Sequence, residues 1–304
     1  MTVGGGMSAE FDDLSKYAVP CFEQVSSFMQ SLERARGQRS MADWREFVRA
    51  SYVLRQWRYF LTIDPYTRWG LLKPRGYAGD ATLMDFAYRH ASIDQHVSSS
   101  SELGQSIYRL TSGAPQSQSA RDRILMMRSE LIEASRRRPS SIVSLASGHA
   151  RELEDLSSIE ADFDRITFLD SDPSSLSVAT GVVGDRHATA HRCNVVKNPL
   201  PDLPKADVVY AMGLFDYLTD TYATDVIRKM SGLVAPEGVC VIGNLDPGAA
   251  NLGYCEAMMD WWMVVRSPDD LVALANSALG HERTDFSCEV SQLGCFNYLR
   301  LRRL

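Results

Sequence analysis

The chain of 304 residues has no Cys-x-x-Cys pair; its six cysteines, Cys21, Cys193, Cys240, Cys255, Cys288 and Cys295, are scattered and no histidine cluster accompanies them. That spacing argues against a structural zinc site, and no metal is expected. There is no Gly-x-Gly-x-x-Gly, so the pyrophosphate cradle of NAD or FAD has no counterpart here. No apolar run approaches the roughly 18 residues that span a bilayer. The start, Met1-Thr2-Val3-Gly4-Gly5-Gly6-Met7, lacks the basic and long apolar regions of a secretory signal. With dispersed cysteines, this gives the expectation of a reduced, cytoplasmic protein. Basic residues are not in excess: 32 Lys and Arg stand against 38 Asp and Glu, a net charge of -6, so no nucleic-acid partner is expected. The consecutive Arg136, Arg137 and Arg138 before Pro139 read as a solvated helix end rather than a phosphate patch.

What is present divides near residue 140. Hydrophobic residues at 45% and charged residues at 23% are ordinary for a folded domain. Before the division the apolar spacing is helical. It predicts helices over Phe11–Leu32, Trp44–Leu61, Ala81–His90, Glu102–Leu110 and from Gln118 to about Arg137. Gly37 and Asp64-Pro65 read as helix stops, and Ser112–Pro115 as a loop. After Pro139, short apolar runs at Ile142–Ala146, Ile166–Leu169, Ala188–Cys193, Asp207–Ala211 and Val239–Ile242 alternate with helical stretches such as Ala150–Ser157 and Thr221–Leu233. This grammar predicts an α/β fold with a doubly wound parallel sheet. Arg283–Glu289 and Asn297–Arg302, joined through Gly294, predict an antiparallel C-terminal edge. The expected domains are a helical cap over 1–139 and a sheet domain over 140–304. The Trp- and Tyr-rich N-terminal helices also offer a surface on which a second copy could pack, which makes a homo-oligomer one expectation.

In a doubly wound sheet, ligands sit at the C-terminal strand ends where strand order reverses. The loop after the first strand reads Ala146-Ser147-Gly148-His149-Ala150. Gly148 lets backbone approach a ligand, and Ser147 is small for the same reason. Asp170, at the tip of the second strand and about 20 residues beyond Gly148, has the spacing of an acid that binds both ribose hydroxyls. Ser171 follows it. Asp172-Pro173 reads instead as a helix cap. After the third strand, Asn194 can hydrogen-bond an adenine edge and Val195 can cover its face. After the fourth come Met212, Gly213 and Tyr217, where the backbone can run beside the amino-acid part of a bound S-adenosylmethionine (SAM).

The segments Lys73–Asp80 (KPRGYAGD), Leu145–Gly148 (LASG), Gly213–Leu218 (GLFDYL) and Asp260–Trp262 followed by Arg266 carry a resemblance. The chain resembles class I SAM-dependent methyltransferases, and is more specifically similar to bacterial proteins for biosynthesis of 3-hydroxypalmitic acid methyl ester. The resemblance implies a Rossmann-like methyltransferase sheet, SAM as cofactor, and an apolar small-molecule acceptor in secondary or signal metabolism. Those relatives usually carry a cysteine before the first glycine of the loop and often a second glycine after it; here Ser147 and Ala150 stand there.

The acceptor is read from two clusters. In Lys73–Asp80, Arg75 or Tyr77 can bind the methionine carboxylate, with Asp80 fixing Arg75 or the methionine ammonium. In Tyr254–Arg266, which has helical spacing, Glu256, Trp261, Trp262 and Arg266 are candidate substrate residues, joined by Tyr17 and Phe22. Adjacent tryptophans cannot both face one core, so one of them lines a pocket. His149 and Tyr77 are the candidate catalytic groups. No further base constellation is visible, which suits carboxyl O-methylation, since a carboxylate acceptor needs no base. C-methylation of an isoprenoid-like or aromatic intermediate, and a non-catalytic binding module on the same fold, remain open.

Overall fold

The computed structural model describes residue 14, residues 16–17, 19–136, 139–154, 162–184 and 188–304. Its helices are α1 (Val25–Gly37), α2 (Met41–Ala50), α3 (Tyr52–Leu61), α4 (Pro65–Leu72), α5 (Ala81–Tyr88), α6 (Asp94–Ser98), α7 (Glu102–Ser112), α8 (Pro115–Ser135), α9 (Pro173–Val183), α10 (Asp220–Gly232), α11 (Leu252–Met258) and α12 (Pro268–Leu279). Its strands are β1 (Ser140–Leu145), β2 (Phe163–Asp170), β3 (Ala188–Arg192), β4 (Ala206–Ala211), β5 (Val234–Leu245), β6 (Phe286–Leu293) and β7 (Phe296–Arg303). They form two compact units: Met1–Gln118 with Ala250–Trp262, and Ser119–Ala249 with Met263–Leu304.

The first unit is helical, and local capping chemistry decides its breaks. The run expected over Trp44–Leu61 is two helices. Ser51 is extended, its N–H closes α2 on the Phe47 carbonyl, and its hydroxyl accepts from the Leu54 N–H to open α3. A serine oxygen competes with the helix ladder, which is why the break falls there. Asp64-Pro65, expected as a stop, is also a start. The Asp64 carboxylate accepts from the Tyr66 and Thr67 amides, and Pro65 occupies the first turn of α4. The expected loop at Ser112–Pro115 shrinks, because α7 runs through Ser112 and α8 begins at Pro115. Of the first expected helix, 11–13, 15 and 18 lie outside the described residues; Phe22–Gln24 form a 3-10 turn, and α1 runs from Val25.

This unit packs on aromatics. Phe28 and Trp57, both fully buried, stack with centroids 4.0 Å apart. The late segment α11 returns to lie on α1, with the Gly253 N–H on Glu33 Oε1 at 2.6 Å. A Cβ at Gly253 would sit 2.8 Å from the Leu32 carbonyl oxygen, so only glycine allows the two helices this approach.

The second unit is a seven-stranded sheet in the order β3-β2-β1-β4-β5-β7-β6. Strands β1 to β5 pair in parallel; β7 is antiparallel to β5, and β6 to β7. The strand order therefore reverses between β1 and β4. Every residue of β1 and β4 is buried, as strands covered on both faces require. On one face Met127, Leu131, Leu176 and Ala179 of α8 and α9 pack on Ile142, Phe168 and Val208. On the other, Val226, Met230, Leu271 and Ala275 of α10 and α12 pack on Val143, Val209 and Ile242. Gly294, at φ +57°, turns the final hairpin. The fold is α/β, a doubly wound Rossmann-like sheet with an antiparallel C-terminal edge, as the sequence predicts.

Two further readings differ. Ala150–Ser157 is a single 3-10 turn at Arg151–Leu153, with 155–157 outside the described residues. The helical spacing of Tyr254–Arg266 ends at Met258, and Asp260 sits at φ +48°. Arg137 and Arg138 also lie outside the described residues; Arg136 pairs with Glu133 at 2.8 Å. Among the described residues no helix is long and apolar enough to cross a membrane.

Candidate functional site

The reversal between β1 and β4 places the β1 loop at the centre of the sheet's C-terminal edge. Three of its five residues are left-handed: Ala146 at φ +50°, Gly148 at +54° and Ala150 at +50°. For alanine that conformation costs about 1 kcal/mol per residue. The loop is held in it by the Ser147 N–H on the Leu169 carbonyl at 3.3 Å and the Ala150 N–H on the Ser147 carbonyl at 3.0 Å. Gly148 donates its N–H to Asp170 Oδ2 at 2.9 Å, while Asp170 Oδ1 accepts from the Asp172 amide at 2.9 Å. The structure thus brings together the small-residue loop and the acid at the β2 tip. Burial pushes the Asp170 carboxyl up from its ordinary range, and these amides pull it back. Each carboxylate oxygen retains a lone pair for a further donor. Ser147 Oγ is a buried hydroxyl with no hydrogen-bond partner among the described residues. Ser171 is exposed, and Asp172 caps α9 through the Ser174 amide at 2.8 Å. His149 is buried beside Gly148.

After β3, Asn194 Oδ1 accepts from the Val196 and Lys197 amides at 3.2 and 3.0 Å, so its carbonyl shapes its own turn. Val195 is packed in the core. Lys229 Nζ holds this loop from α10 by donating to the carbonyls of Val195, Val196 and Asn198.

After β4, Met212 is partly buried, Gly213 exposed and Tyr217 37% exposed. Beneath them lies a buried polar network that sequence reading missed. Asp216 Oδ1 accepts from Asn244 Nδ2 at 3.0 Å and from the Leu245 N–H at 2.7 Å. Burial pushes the Asp216 carboxyl up to about 6, against the pull of the Leu245 N–H, Arg123, Arg266 and Asn244. Arg266, expected to meet a substrate, engages all five of its donors inside the unit. Nη1 reaches the Phe215 carbonyl and Asn244 Oδ1, Nη2 the Leu218 carbonyl and Asp220, and Nε Asp220. It is a strut that fixes the 215–220 turn to the end of β5. Arg123, a buried cation of α8, donates to the Met212 carbonyl at 2.6 Å and lies over Phe296 at 4.9 Å.

Glu152 was also missed. It follows the loop in the 3-10 turn, and its Oε1 accepts from the Tyr210 hydroxyl at 2.6 Å. Tyr210 is the penultimate residue of β4, paired beside Ser144 of β1. Arg128 closes the turn from α8 by donating to the carbonyls of Arg151, Glu152 and Glu154. A carboxylate four residues beyond Gly148 was visible in the sequence; its tyrosine partner was not.

The other expected residues lie in the helical unit. There, two clusters separated in sequence are joined: Lys73 Nζ meets Asp260 Oδ2 at 2.7 Å. Trp262 donates Nε1 to Asp260 Oδ1 at 2.7 Å and lies under the Arg45 guanidinium at 4.5 Å. Lys73, Gly76 and Gly79 are left-handed, at φ +47°, +85° and +73°, and Tyr77 between the glycines is 41% exposed. Arg75 Nε lies 4.0 Å from Asp80, whose oxygens cap α5 at Thr82 and Leu83 and accept from Trp69 Nε1. Glu256, expected at a substrate, is fully buried and takes Arg36 Nε at 2.7 Å and Trp44 Nε1 at 2.7 Å. Tyr17 is buried against Phe28 and Trp57, and Trp261 is buried; Trp262 and Phe22 are partly exposed. Of the candidate substrate residues, Glu256, Tyr17 and Arg266 therefore hold their units together.

No family model and no curated protein matches the chain. Among solved structures it is similar to a possible exported protein from Bordetella parapertussis, at 18% identity and TM-score 0.61, covering 99% of each chain. It is similar, more distantly, to magnesium protoporphyrin IX methyltransferase from Synechocystis PCC 6803 with bound S-adenosylhomocysteine (11% identity, TM-score 0.49, covering 74% of this chain and 100% of that one). A third is the N-methyltransferase NodS from Bradyrhizobium japonicum WM9 (14%, TM-score 0.45, 61% and 97%). At these identities the likeness is one of fold.

Proposed function

We propose that the protein is a SAM-dependent methyltransferase acting on an apolar small molecule, with a carboxylate as the methyl acceptor. The observation that carries this reading is the hydrogen bond from Gly148 to Asp170 at the strand-order reversal, which sets a left-handed small-residue loop beside an acid suited to a ribose. The residues present fit the cofactor. Ser147 offers an orphaned hydroxyl, Gly148 admits close backbone approach, and Asp170 keeps acceptor capacity for two hydroxyls. Nothing in the loop resembles a pyrophosphate cradle.

SAM, when bound, supplies an electrophilic methyl on a sulfonium. This chain's work is to hold it, align the acceptor with it and exclude water. In this reading Ala146, Ser147, Gly148, Asp170 and Ser171 hold the nucleoside's sugar side. Asn194 and Val195 meet the base, and Met212, Gly213 and Tyr217 flank the methionine part. We assign the choice of acceptor to the helical unit, with Tyr77, Phe22 and, from the returning segment, Trp262 as its candidate residues, and Arg75 as the candidate for the methionine carboxylate. His149 and Tyr77 are the groups that would orient the acceptor. A carboxylate acceptor is already ionised at neutral pH, so neither need remove a proton.

The test is isothermal titration with SAM and S-adenosylhomocysteine, repeated on Asp170→Ala. Micromolar binding of both is expected, weakened on the order of tenfold or more in the variant through loss of charge-assisted bonds to the ribose. Absence of binding at millimolar ligand would sink the reading. Binding without methylation of any fatty or aromatic carboxylic acid would favour a non-catalytic module.

A further inference from the structure

Glu152 is a carboxylate in an unfavourable place. It is partly buried, one oxygen is taken by the Tyr210 hydroxyl, and no ion pair within 4.0 Å is formed to it among the described residues. Two arginines of α8 act on it through charge: Arg123, whose Nη1 donates to the Met212 carbonyl, and Arg128, which donates to the carbonyls of Arg151, Glu152 and Glu154. Burial pushes its carboxyl up, opposed by the Tyr210 hydroxyl, its own N–H and the two arginines. A largely desolvated acid with no cation within ion-pair distance costs stability, which a bound cationic group would offset. Its position is specific: it stands directly after the left-handed loop and is clasped to β4 at the residue that pairs with Ser144 of β1.

We propose that Glu152 receives the α-ammonium of the cofactor's methionine part, with Tyr210 as the residue that positions it. This rests on the SAM reading above. A SAM molecule carries two cationic centres, the sulfonium and the ammonium. The sulfonium is the poorer target, because a carboxylate in line with its methyl group would compete with the acceptor as a nucleophile. The ammonium is remote from the methyl group and can be buried against an acid. The hydroxyl of Tyr210 fixes one oxygen and leaves the other to accept. The rival acid considered from sequence, Asp80, has its oxygens on the Thr82 and Leu83 amides and on Trp69. Asp216 is held by Asn244 and the Leu245 amide. Asp170 faces the loop amides at the β2 tip.

The experiment compares three ligands by isothermal titration: SAM, S-adenosylhomocysteine, which lacks the sulfonium charge, and methylthioadenosine, which lacks the amino-acid part. Glu152→Gln is expected to weaken the first two alike, by about tenfold or more, since a charge-assisted bond is replaced by a neutral one. Its affinity for methylthioadenosine stays that of the parent. Tyr210→Phe, which keeps the carboxylate, shows a smaller loss with the same ligand pattern. Loss of SAM affinity alone would assign Glu152 to the sulfonium and overturn the proposal. Equal loss for all three ligands, or no loss for any, would overturn it too. Failure of the unmodified protein to bind any of the three would instead remove the SAM reading itself.

Discussion

A single carboxyl shows how the sheet's C-terminal edge trades stability for charge. Asp216 is 4% exposed and pushed up to about 6 from an ordinary 3.8, first by burial. A carboxyl that holds its proton more tightly when folded favours the folded state while neutral. That contribution is complete below about pH 4 and is lost as pH rises through 6, by up to about 3 kcal/mol. Asp216→Asn keeps a carbonyl to accept from Asn244 and the Leu245 amide and cannot ionise. In urea unfolding between pH 4 and 7, the variant's stability relative to the parent should therefore climb by about 2–3 kcal/mol. A pH-independent difference would show that Asp216 does not carry this proton. Nothing in the local sequence GLFDYL marks Asp216 as buried. Its environment is built by Asn244 and Arg266, which only the fold brings near. Asp170 is the opposite case: its spacing from Gly148 singles it out in the sequence, and the structure adds that the Gly148 N–H donates to it.

Elements were legible where one signal dominates. The five parallel strands follow from their β-branched runs, and the closing hairpin from Gly294. Breaks were misread where one residue serves two elements, as Ser51 ends α2 and caps α3, and Asp64 both follows one helix and starts another. The segment after β5 was misread for another reason. The Met and Trp residues of Tyr254–Arg266 fit helical spacing, but the helix stops at Met258; Trp261 is buried, and Trp262 is held by Asp260 and Arg45. The role of Glu256 was hidden because its partners, Arg36 and Trp44, lie some two hundred residues earlier in the chain. That ion pair ties α11 to α1. Glu256→Gln should lower the urea-unfolding free energy by about 2–3 kcal/mol, less than for a fully buried pair because Arg36 keeps some water contact. A change below 0.5 kcal/mol would mean that the pair contributes no more than an exposed one.

At the scale of the whole molecule, the helical unit is not continuous in the chain. It takes Met1–Gln118 and then Ala250–Trp262, with the entire run β1 to β5 in between. A fragment of residues 1–139, the domain expected from the helical spacing of the sequence, lacks Glu256, Tyr254, whose hydroxyl meets Thr67 at 2.7 Å, and Asp260, the partner of Lys73. It should melt without cooperativity by circular dichroism in urea; a sharp transition at the midpoint of the full chain would show the insertion to be dispensable. The returning segment also governs how the protein comes into being. During synthesis the N-terminal helices leave the ribosome long before the piece that completes them, so Trp44 and Arg36 wait without Glu256 while five strands are still being made. The nascent chain therefore carries unsatisfied aromatic and cationic surface through most of its translation, the period in which a chaperone has most to shield. Such a protein should be more sensitive to elongation rate and chaperone supply in its yield than in its final stability.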